Sequence, residues 1–63
     1  MTAQWEQPIR PLEYKYRSDE FASGWSPWLL VVFIRPTHNG YEIMGPNGVT
    51  WDSSSVFIQE KKA

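Results

Sequence analysis

The chain has 63 residues, among them four tryptophans, three tyrosines and three phenylalanines, with no cysteine and a formal net charge of −1. Such a length allows one small domain that buries only about 60% of its unfolded surface, and without cysteine neither a disulfide nor a Cys/His zinc site can supplement its core. Balanced charge, with a pI near 5.6, gives no strong attraction to nucleic acid or anionic membranes.

The opening Met1-Thr2-Ala3-Gln4-Trp5-Glu6 lacks the basic segment and apolar stretch of a secretory leader. The longest apolar run, residues 28–34, is far short of the about 20 residues a membrane helix needs. With no cysteine to oxidise, the expectation is a soluble, cytoplasmic protein.

Residues 1–11 carry Pro8 and Pro11, each holding the residue before it extended. They read as an extended N-terminal arm with Trp5 and Ile9 as its sizeable apolar contacts after Met1. From Leu12 to Arg17 the chain alternates, with Leu12, Tyr14 and Tyr16 on one side and Glu13, Lys15 and Arg17 on the other. That period of two marks a half-buried strand. Residues 18–27 form a polar loop broken by Phe21 and Trp25, with room for one helical turn that Gly24 and Pro27 would stop.

Residues 28–35 are rich in β-branched and aromatic types and bounded by Pro27 and Pro36, which favours strand over helix. Asn39-Gly40 then predicts a hairpin, because both residues tolerate positive φ. Tyr41-Glu42-Ile43-Met44 is the return strand, Gly45-Pro46-Asn47-Gly48 a second turn, and Val49-Thr50-Trp51-Asp52 a further strand. Ser53-Ser54-Ser55 breaks it, Val56-Phe57-Ile58 is the last strand, and residues 60–63 read as a disordered tail.

Five short strands without a helix predict an all-β fold: an antiparallel meander over residues 12–59, either a curled sheet or a small barrel. The order of long loop, two tight hairpins, Ser-rich turn and short last strand resembles a Src-homology-3-like barrel. Leu12-Glu13-Tyr14-Lys15-Tyr16, followed by Asp19 and Glu20, is similar to the opening of Src-homology-3 domains. A paired tryptophan at the start of the third strand and a proline before the last turn are both missing.

Nothing in the sequence assembles catalytic chemistry. His38, the single histidine, falls in a predicted turn with no nucleophile placed beside it. Asp19, Glu20 and Asp52 lack calcium-loop spacing, and Gly45-Pro46-Asn47-Gly48 is followed by no Lys-Ser/Thr pair that would make a phosphate loop. No catalytic residue, metal or cofactor is expected, and the chain reads as non-enzymatic.

The aromatic residues carry the functional reading. In residues 28–34, Trp28, Leu30, Val32 and Ile34 point one way and Leu29, Val31 and Phe33 the other, so the strand is apolar on both faces. A single sheet buries one face, and the other needs the arm, a partner or a second copy. The expected function is a protein-interaction module or regulator, with Trp5, Trp25, Trp28, Leu29, Val31, Phe33 and Tyr41 as interface candidates. Tyr14 and Tyr16, beside Asp19 and Glu20, offer an alternative groove for Pro-rich peptides with basic flanks. Two further readings are a structural subunit of a homo- or hetero-oligomer, and single-stranded nucleic-acid binding by Tyr14, Tyr16 and Trp51. The latter would use Lys15, Arg17, Arg10 and Arg35 on phosphates, although Lys15 and Arg17 alternate away from the tyrosines.

Overall fold

Alternation in the first strand places Tyr14 at the centre of the molecule. The computed structural model describes residues 4–62, with strands β1 (Leu12–Lys15), β2 (Leu29–Leu30), β3 (Phe33–Thr37), β4 (Gly40–Met44), β5 (Thr50–Asp52) and β6 (Phe57–Glu60). A single 3-10 turn, Ser53–Ser55, separates the last two. The strands form two antiparallel three-stranded sheets, ordered β2-β1-β6 and β3-β4-β5. The all-β expectation holds, but there are six strands rather than five, and two sheets stand in place of a closed barrel.

Both differences originate in residues 28–35. Leu29 and Leu30 pair with Tyr14 and Glu13, whereas Phe33–Thr37 pairs with β4. Between them, Val31 N donates to Leu12 O (2.9 Å) and Val32 N donates to Met44 O (2.9 Å). Phe33 also faces Met44, so two residues oppose one, as in a β-bulge, and the chain bends from one sheet into the other. This corner explains the strand that is apolar on both sides. Val31 is buried, and Leu29 and Ile34 pack on the same core from different sheets. Trp28 and Leu30 are left outside, 38% and 46% exposed.

The turns follow residue chemistry. Thr37 pairs with Gly40, so His38 and Asn39 form the hairpin loop, and Gly40 takes the positive φ (132°) while no other residue type does. The expected hairpin is present, with its two-residue loop one residue earlier than Asn39-Gly40. Gly48 N donates to Gly45 O (3.0 Å) across Pro46-Asn47, closing the second turn. Asp52 caps the 3-10 turn, its Oδ1 accepting from Ser54 N (3.1 Å). In the long loop, Ser26 is 4% exposed, and its hydroxyl accepts from Tyr16 N (3.0 Å) and donates to Pro27 O (2.9 Å).

Glu6 exchanges two backbone hydrogen bonds with Ile34 (2.9 and 2.8 Å), and the Arg35 guanidinium lies 4.5 Å from the Trp5 ring centroid. The arm thus docks through Trp5, whereas Ile9, expected as its second contact, is fully exposed. The last strand extends beyond Ile58 to Glu60, and Lys61 N donates to Pro11 O (2.8 Å). Among the described residues no helix is long and apolar enough to cross a membrane.

Tyr14, Val31 and Ile43 form the buried core, with Leu12, Tyr16, Leu29, Ile34, Trp51, Val56 and Ile58 packed around it. Trp51 Nε1 is buried and makes no hydrogen bond of good geometry. Burial pushes the Tyr14 phenol above its ordinary 10.0; the neighbouring Trp51 N–H offsets part of this rise, and Tyr16 adds to it. A phenol whose pKa is raised by folding contributes nothing pH-dependent below 10.0, where both states keep the proton. Above it the unfolded tyrosine ionises first, so stability falls as pH rises towards the folded value. The urea midpoint, followed from about pH 8 to about pH 11, is expected to drop more steeply in the wild type than in Tyr14→Phe. Parallel curves would show that Tyr14 does not couple to folding.

Candidate aromatic interface on the first sheet

The register of β2-β1-β6 sorts side chains into two rows. Tyr14 pairs with Leu29 and Ile58, and all three reach the core. One residue along, Lys15 pairs with Phe57, while Glu13 pairs with Leu30 and Gln59. By the pleat these sit on the outer face. Gln59 Nε2 donates to Glu13 Oε1 (2.5 Å), fixing that end of the face.

At the other end three rings gather around one ammonium. Lys15 Nζ lies 5.0 Å from the Trp28 ring centroid, 5.4 Å from Trp25 and 5.7 Å from Phe57. Trp25 and Phe57 are themselves in contact, with centroids 4.7 Å apart, and the Arg17 guanidinium lies 5.6 Å from Trp25. Each such cation–ring contact contributes about 0.5–1 kcal/mol at an exposed site. Phe57 is 55% exposed, so with Trp28 and Leu30 the face presents three exposed apolar side chains beside two cations.

The expected interface residues therefore separate. Trp25 and Trp28 lie in this cluster. Val31 is in the core and Leu29 packs against it, so neither faces outward with them. Phe33 is half-buried where β3 begins, Trp5 lies against Arg35, and Tyr41, 53% exposed, lies on the other sheet. Of the alternative set, Tyr14 is buried. Tyr16 and Trp51 stack on each other, 4.9 Å apart at 15°, with Phe21 edge-on to Tyr16. Phe57 and Leu30 were not among the candidates, yet alternation could have marked Phe57: Val56 and Ile58 turn inward, which sends Phe57 out.

A groove of about 820 Å³ runs beneath the arm between Pro8, Arg10, Leu12, Ile34, Tyr41 and Ile58. Arg10, on its lining, forms a loose exposed pair with Glu60 at 3.7 Å, worth little in water. Arg35, more enclosed, is held by Glu42, its Nε donating to Oε1 at 2.7 Å. Among the described residues no three His, Asp or Glu side chains converge as metal ligands. Comparison with protein-family models gave no match, and neither did comparison with curated proteins or with solved structures.

Proposed function

We propose that the chain is a small, non-enzymatic protein-interaction module whose working surface is the outer face of β2-β1-β6. The observation that carries this reading is the exposure of Trp28 and Phe57, which with Trp25 surround Lys15, and of Leu30 on the same face. Large aromatics dominate the energy of protein interfaces, and apolar surface of this kind is otherwise an aggregation hazard. A first strand, a long loop, a strand that turns between sheets, two hairpins and a 3-10 turn also support an open Src-homology-3-like arrangement. The tyrosines of its first strand serve the interior, so the recognition surface we propose is the opposite side of that sheet. The absence of cysteine supports a cytoplasmic location.

The test is affinity capture from an extract of the native cells with tagged wild type, Trp28→Ser and Phe57→Ser. Both substitutions are on the exposed face, so the thermal midpoint should move by less than about 8 °C, the equivalent of roughly 1 kcal/mol. Capture of the specific protein is expected to weaken at least about tenfold, as for loss of an interface anchor. An unchanged set of captured proteins from folded variants would rule this face out.

A further inference from the structure

We infer that the face is self-complementary and that its occupant is a second copy of this chain, docked across a two-fold axis perpendicular to β1 at Lys15. This rests on the reading of the face as an interface. Glu13, Lys15 and Arg17 follow one another at two-residue intervals on the same side of the first strand. An axis perpendicular to the strand at Lys15 reverses that row, so each Glu13 meets the partner's Arg17. An axis parallel to the strand would instead set Glu13 on Glu13 and Arg17 on Arg17, which like-charge repulsion opposes.

The same operation brings Leu30, level with Glu13, towards the partner's Trp25, which bridges Arg17. Apolar groups at the two ends of the face are thus exchanged as well as charges. Lys15 lies on the axis and faces its own copy under either operation, so it does not discriminate between them, and each ammonium stays seated on Trp25, Trp28 and Phe57 of its own chain.

Sedimentation equilibrium of the whole chain, from about 1 µM to about 1 mM, reads the association directly as a rise from 7.4 kDa to twice that mass. Glu13→Lys and Arg17→Glu each place two like-charged pairs in the homodimer, and each is expected to raise the dissociation constant at least about tenfold. An equimolar mixture of the two variants restores both attractive pairs in the heterodimer and should return to within about threefold of wild type. Circular dichroism confirms that each variant is folded, and recovery on mixing cannot come from a misfolded one. A monomer at every concentration overturns the second copy as occupant and leaves the face to a different protein, whose capture the Trp28→Ser and Phe57→Ser variants report separately. A dimer that neither variant weakens, or that mixing fails to restore, overturns the proposed geometry.

Discussion

Replacing Ile43 with alanine is expected to cost about 4 kcal/mol, a large part of the stability of the isolated chain. Ile43 is fully buried on β4, the middle strand of its sheet, between Ile34 on β3 and Trp51 on β5. Removing its outer carbons forfeits their transfer energy and leaves a cavity that the flanking strands, both hydrogen-bonded to β4, collapse into only in part. A chain of 63 residues has about 3–9 kcal/mol of stability in all. Tyr14, Val31 and Ile43 are the fully buried hydrophobics among its described residues, so the loss falls on a large part of that total. Ile43→Val, which deletes one methyl group, should cost only about 1 kcal/mol. Urea unfolding followed by circular dichroism at one fixed protein concentration compares the three, because any self-association would make the midpoint concentration-dependent. A loss of less than about 1 kcal/mol in unfolding free energy for Ile43→Ala would mean that the core is not centred on this residue.

The first strand was legible because it is half-buried. Leu12, Tyr14 and Tyr16 alternate with charged residues, and alternation alone sorted inward from outward. The Pro46-containing turn and the break at Ser53–Ser55 were legible because proline, glycine, and serine after aspartate leave the backbone few choices. Residues 28–35 were not, because a continuous apolar run carries no period, and nothing local marks the bulge at Val32. What places that bulge is the demand of two different neighbours, Leu12 and Met44, for backbone hydrogen bonds at consecutive residues. The candidate face suffered in the same way. Trp25 and Trp28 could be singled out by residue type, but their meeting with Phe57 around Lys15 depends on β6 returning beside β1, a contact across some forty residues of chain that only the sheet order supplies.

Gly45 gives the second large expected effect, and it arises from space rather than backbone freedom. Its φ is not positive, so alanine can adopt the same backbone. A Cβ at this position, however, would lie 3.0 Å from Tyr14 Cζ and 3.2 Å from Cε1, and would run into the hydroxyl oxygen itself. Tyr14 is 1% exposed and cannot swing away, so Gly45→Ala should destabilise by about 3 kcal/mol, the upper range for overpacking a core. Gly48→Ala makes the contrast. At φ 82° it meets nothing within 4 Å, and only the left-handed backbone penalty of about 1–2 kcal/mol applies. If the clash is the cause, removing the hydroxyl must relieve it. Tyr14→Phe alone should cost about 1 kcal/mol through loss of the polar group beside Trp51 Nε1. In the Gly45→Ala background the same change should instead be neutral or stabilising, because it deletes the atom that the new methyl strikes. The double-mutant cycle is thus expected to close with a coupling of at least about 1 kcal/mol in favour of the pair. Strict additivity would place the cost of Gly45→Ala in the turn and not at the ring, and would remove the close approach of Gly45 to Tyr14 from the account of how the two sheets meet.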